Sequence, residues 1–131
     1  MPPAKLPADE KLPRVEIIYS HSNMDGGPID DAVKRGAKAI VLAGEGDGNT
    51  SASALDALSR AAKSGIVVIR STRVGSGFVN RNVEVDDNKM GFVAALDLNP
   101  QKSRVLAQLL IANSVTEPGA VQNAFEATHA R

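Results

Sequence analysis

Residues Lys38 to Thr50 read "KAIVLAGEGDGNT", and the first half of that stretch decides the fold. A strand with one wet face alternates apolar and polar residues, because successive side chains point to opposite sides of the sheet. "AIVLA" does not alternate. An unbroken apolar run closed by Gly44 is a strand covered on both faces, the pattern of a parallel sheet held between helix layers.

The flanking sequence agrees. "VEIIY" (Val15 to Tyr19) and "IVVIRS" (Ile66 to Ser71) are β-branched runs that read as further strands. "FVAALDL" (Phe92 to Leu98) is either a fourth strand or an extended segment. Helical patterns lie between and after them. "PIDDAVKRGA" opens with Pro28 at a first helical position, has acids early and bases late, and stops at Gly36. "SASALDALSRAAKSG" spaces Ala54, Leu55, Leu58, Ala61 and Ala62 as one helix face and ends at Gly65. Asn99-Pro100 is an N-cap and first-turn pair opening "QKSRVLAQLLIANS", where Val105, Leu106, Leu109 and Leu110 share a face. Thr116-Glu117-Pro118 starts a last helix carrying Val121 and Phe125. Strand and helix in alternation predict an α/β fold. The default is a small three-layer parallel sheet of about four strands flanked by helices, flavodoxin-like or Rossmann-like. The head "MPPAKLPADEKLPRV" holds four prolines and no apolar core. It reads as a linker or tail over residues 1–13, with the domain occupying 14–131, and it lacks the pattern of a signal peptide.

Composition narrows the function. The 131 residues suit one domain, 43% hydrophobic and 23% charged. Lys plus Arg and Asp plus Glu are 15 each, a neutral balance that argues against nucleic acid and anionic membrane as partners. Aromatics at 3% argue against base stacking. With no cysteine there is neither a disulfide nor a thiolate nucleophile, and no apolar run reaches the roughly 20 residues of a membrane span.

In a parallel sheet the functional loops lie beyond the carboxyl ends of the strands. Here these are the loops after Tyr19, from Gly44 to Thr50, and after Ser71. The glycines at 44, 46 and 48 do not have dinucleotide spacing, and Glu45 and Asp47 would repel a pyrophosphate. Glu45 with Asp47, or Asp86 with Asp87, could offer oxygen to a metal but lack the ordered spacing of a calcium loop, so they read as solvated surface acids. His21 and His129 read as surface histidines. The plain reading of "GEGDGNT" is a tight turn with Asn49 or Thr50 capping the next helix. Asn49 and the acid-rich "VEVDD" also lie at one edge of the sheet, and an amide beside a carboxylate suits a small zwitterion.

From Leu12 to Phe125 the chain resembles the C-terminal domain of bacterial type II L-asparaginases, the asparaginase-glutaminases included. The segments that carry the resemblance are "LPRVEIIYSHSNMDG", "GAKAIVLAGEGDGN", "AAKSGIVVIRSTRVGSG", "VEVDDNKMGFVAALDLNPQKSRVLAQLL" and "VQNAFE", in order and at the family's spacing. The resemblance implies a domain that packs on the N-terminal domain of a partner subunit in a homo-oligomer and lends it two residues. The asparagine ending the glycine loop falls on Asn49, with Gly44, Gly46 and Gly48 as its supporting loop. The glutamate falls on Glu84, which would receive the substrate α-ammonium group. It implies a small amino-acid substrate, no metal or organic cofactor, and a periplasmic parent enzyme. The family's threonine nucleophile belongs to an N-terminal "TGGT"-type motif, which Thr50, Thr72, Thr116 and Thr128 do not match. The expectation is therefore a recognition and assembly domain of an L-asparagine amidohydrolase, catalytically silent alone. The other readings are a stand-alone oligomerisation module and, disfavoured by the acidic loop, a nucleotide-binding domain.

Overall fold

A computed structural model describes residues 12–21, 23–44, 50–72, 79 and 87–129. Four strands, β1 (Val15–Tyr19), β2 (Ala39–Gly44), β3 (Val67–Thr72) and β4 (Phe92–Ala94), form one parallel sheet in the order β1-β2-β3-β4. Around it lie α1 (Gly27–Lys34), α2 (Ala52–Lys63), α3 (Asp87–Met90), α4 (Pro100–Ala112) and α5 (Pro118–His129). The expected α/β class and four-stranded parallel sheet are present. Among the described residues the strands follow chain order with no reversal, unlike the flavodoxin order with its switch point.

Strand alternation assigns the two faces. Ile18, Ile40, Leu42, Val68 and Phe92 point to the layer of α1 and α2, where they meet Ile29, Ala32, Ala57, Leu58 and Ala61. Val15, Ala39, Val41, Ile69 and Val93 point the other way, to Ala107 and Leu110 of α4 and Val121 and Phe125 of α5. Every residue of β2 and β3 is buried, as the unbroken apolar run requires. The α1–α2 contact is close. A Cβ at Gly26 would lie 2.8 Å from the Cβ of Ala57, so glycine is needed there for packing.

The predicted helix ends hold at Gly36 and Gly65, whose φ values of +88° and +97° suit glycine best. The cap of α2 differs from expectation. It is Ser51, whose hydroxyl accepts from the Ala54 N–H at 3.1 Å. Asn99 caps α4 as expected, accepting from the Lys102 N–H at 2.8 Å. The buried line of α4 also differs. It runs through Ser103, Ala107 and Leu110, while Leu106 and Leu109 flank it and Val105 is 49% exposed. Small residues at the contact line let the helix lie close on the sheet and push the larger ones outward.

"FVAALDL" resolves into a three-residue strand and a turn. Leu96, at φ +60°, pairs with Val79 through an antiparallel bridge. The open edge of β4 is closed by a side chain from α5: Gln122 Oε1 accepts from the Ala94 N–H at 2.8 Å, and its Nε2 donates to the Ala94 carbonyl at 3.1 Å. A side-chain amide thus stands in for a fifth strand at this position.

Candidate functional site

The carboxyl edge of the sheet is assembled from three loop roots. Gly44 and Thr72 are register partners on β2 and β3, so the chain leaves two adjacent strands about 4.8 Å apart at the same level. Beside them the Ser20 N–H donates to the Ala43 carbonyl at 3.0 Å and carries the β1–β2 ladder one residue further. Tyr19 is 52% exposed, and its hydroxyl accepts from Gln101 Nε2 at 3.1 Å, which joins the end of β1 to the first turn of α4. His21 is exposed, as expected.

Where the chain re-enters after the glycine loop, it is tied down at once. The Ser51 hydroxyl donates to the Met24 carbonyl while it caps α2, so one residue holds the β1–α1 loop and the start of α2 together. Of the residues predicted for the site, Gly44 ends β2. Gly46, Gly48, Asn49 and Glu84 lie outside the described residues, as do Glu45, Asp47 and Asp86.

Asp87 corrects an expectation. It is not a solvated surface acid but fully buried, at the start of α3. Arg70, in the middle of β3, is fully buried too, and its guanidinium meets the carboxylate in a two-pronged contact. Nε donates to Oδ1 and Nη2 to Oδ2, both at 2.6 Å. Such short paired bonds between ionised groups are the strongest hydrogen bonds a side chain can make. Removing both charges from water opposes much of that gain. Arg70 shares a register level with Leu42 and with Ala94, the last residue of β4. The pair therefore sits in the carboxyl half of the sheet, on the α1/α2 side, with α3 running from it toward the start of β4. Its signal in the sequence is the one arginine in "VVIRST", a charge in a strand otherwise built for burial.

Among the described residues, two carboxylates elsewhere have their pKa lowered, each for a structural reason. A hydrogen bond from Arg35 holds Glu16 below its ordinary value. Backbone N–H groups of Gly119 and Ala120 do the same for Glu117, which caps α5. Neither is at the carboxyl-edge cluster. Along α4 runs an open apolar groove of about 400 Å³, lined by Leu98, Val105, Leu106 and Leu109 with Gln101, Lys102 and Thr128. Among the described residues no helix is long and apolar enough to cross a membrane.

Comparison with known proteins places these features. Residues 14–125 match the model of the glutaminase/asparaginase C-terminal domain. The chain is 47% identical to a probable periplasmic L-asparaginase of Haemophilus influenzae over 117 residues, 89% of this chain and 33% of that protein. It is 44% identical to L-asparaginase 2 of Escherichia coli, covering 88% of this chain and 33% of the relative. It is 43% identical to a glutaminase-asparaginase of Pseudomonas fluorescens, covering 78% and 28%. The chain spans about a third of the length of these relatives. It belongs to the glutaminase/asparaginase C-terminal domain family.

Proposed function

We propose that this domain completes the substrate site of an L-asparagine amidohydrolase, the enzyme that converts L-asparagine to L-aspartate and ammonia. Asn49 and Glu84 are the residues it contributes, to the site of a partner subunit. The Glu84 carboxylate pairs with the substrate α-ammonium group, and Asn49 hydrogen-bonds around the nucleophile and the substrate. The glycines at 44, 46 and 48 let the Asn49 loop approach closely. The nucleophile, its base and the oxyanion donors come from the N-terminal domain, which also makes the oligomer with this one. The observation that carries the reading is the family match over residues 14–125. The common level of Gly44 and Thr72 supports it, since the Asn49 loop and the long connection bearing Glu84 leave the sheet side by side. The groove along α4 adds an apolar surface of the kind that assembly contacts cover.

The test joins this chain to the N-terminal two-thirds of an L-asparaginase 2 and measures ammonia released from L-asparagine. The chimaera is expected to turn over, and the chain alone to release none, because it has no activated nucleophile. In the chimaera, Glu84→Gln removes one charge-assisted contact, expected to lower kcat/KM by about 1.5–3 kcal/mol of transition-state binding. Unchanged kinetics in that variant, or hydrolysis by the isolated chain that is lost on substituting Asn49 or Glu84, would overturn the reading.

A further inference from the structure

Arg70 and Asp87 are fully buried and joined by two bonds of 2.6 Å. A pair of apolar residues of similar size often holds a core as well as a buried ion pair does, so stability alone is a weak reason for this one. What an ion pair adds is direction: a planar fork fits a carboxylate in one orientation, whereas apolar contacts can slide. Its place in the chain shows what that direction controls. Asp87 is the first residue of α3, where the long connection from Thr72 returns to the sheet, and Glu84 is three residues before it. Three residues span at most about 11 Å, so a fixed Asp87 limits where Glu84 can be. Arg70 is two residues before Thr72, the register partner of Gly44 from which the Asn49 loop departs.

We propose that the Arg70–Asp87 pair is a positioning device for the substrate-ammonium contact. It fixes the returning end of the Glu84 segment to the central strand that adjoins the root of the Asn49 loop. This rests on the reading of Glu84 given above. Both side chains are fully buried, so they act through Glu84 and not on the substrate directly.

The test uses the active chimaera and two competitive ligands that differ only in the ammonium group, L-aspartate and succinate. Asp87→Asn is expected to weaken inhibition by L-aspartate tenfold or more and to leave inhibition by succinate within twofold. The double variant Arg70→Met/Asp87→Leu removes both charges of the pair together, and is expected to do the same. Arg70→Lys keeps the charge and loses the fork, and should fall between. In a Glu84→Gln background none of these changes should weaken L-aspartate further, because the contact they position is gone. A purely structural pair would change the amount of active enzyme and leave both inhibition constants alone. That result, an equal shift for both ligands, or full additivity with Glu84→Gln overturns the proposal. If Glu84→Gln by itself leaves L-aspartate inhibition unchanged, the Glu84 reading fails first. A chimaera that is inactive without substitutions overturns both.

Discussion

The two faces of the sheet are covered with similar materials and solve different problems. On the α4/α5 face Val41, Ile69 and Val93 meet Leu110, Val121 and Phe125, and the buried polar side chains beside them, Ser71, Ser103 and Gln122, are neutral. Gln122 holds Ala94 on the outer side of β4, accepting from its N–H and donating to its carbonyl. On the α1/α2 face the helix alanines Ala32, Ala54, Ala57 and Ala61 bring the helices close, and the buried polar groups include an ion pair. A neutral amide satisfies an edge at little electrostatic cost. An ion pair costs more desolvation and gives orientation in return. The face bearing the charge is the one where Asp87, the first residue of α3, meets the sheet.

The largest expected effect breaks the charged side. Arg70→Met leaves the Asp87 carboxylate buried without its guanidinium and should cost about 3–5 kcal/mol, read by chemical denaturation of the chain. Arg70→Met/Asp87→Leu should recover most of that loss. A double variant as unstable as the single one would mean that the pair holds the core by its charge, and the contrast between the faces would fail.

The neutral side should break more gently. Gln122→Leu keeps the side-chain bulk and leaves the Ala94 N–H and carbonyl unpaired at the sheet edge. The expected loss is about 1–3 kcal/mol, the cost of orphaning a buried polar group. Amide exchange should localise it: the Ala94 amide should exchange faster while Val41 and Ile69 stay protected. Uniform acceleration across the sheet would show that Gln122 supports the whole layer and not one edge.

A third substitution sharpens the comparison at the loop root. Ser51→Ala removes the cap of α2 and the link to the Met24 carbonyl in one step. Caps of this type are worth about 1 kcal/mol. The loss should appear as faster amide exchange at Ala54 and Leu55, with the α4/α5 face unaffected.

What the sequence disclosed follows from how local each cause is. The apolar run at Ala39–Ala43, the stops at Gly36 and Gly65 and the Asn99 cap depend on a few adjacent residues, and all were legible. The buried line of α4 was not, because Val105, Leu106 and Leu109 look like a core face until Ser103 and Ala107 are seen against the sheet. The turn at Leu96 carries no local sign, since leucine seldom adopts positive φ. The Ser51 cap lies one or two residues past the Asn49 and Thr50 of the sequence reading, because three polar residues stand in a row there. At the site, the loop roots could be read from strand ends, and Asn49 and Glu84 came from family resemblance. Arg70 was visible as a charge in a buried strand, but its partner is 17 residues away, and pattern reading took Asp87 for a surface acid.

The smallest effect concerns a second ion pair on the same charged face, and it separates burial from charge as the source of strength. Arg35, just beyond α1, donates to both carboxylate oxygens of Glu16 on β1, at 2.6 and 3.1 Å. Its geometry approaches that of Arg70–Asp87, but the Arg35 side chain is 50% exposed where that of Arg70 is wholly buried. The hydrogen bond from Arg35 holds the Glu16 carboxyl below its ordinary value of 4.5. A carboxylate with a depressed pKa stabilises the fold fully above its unfolded pKa, and that stabilisation is lost as pH falls through the folded value. Glu16→Gln should therefore destabilise the chain slightly at neutral pH, and the gap between variant and parent should close as the pH is lowered below 4.5. Salt should narrow the same gap at neutral pH, because water screens an exposed pair. The loss from Arg70→Met should be far less sensitive to salt. Denaturation midpoints of the two variants at low and high ionic strength measure the contrast directly. Equal salt sensitivity would mean that the Arg70–Asp87 pair is open to solvent, and the distinction drawn between the two faces would not survive.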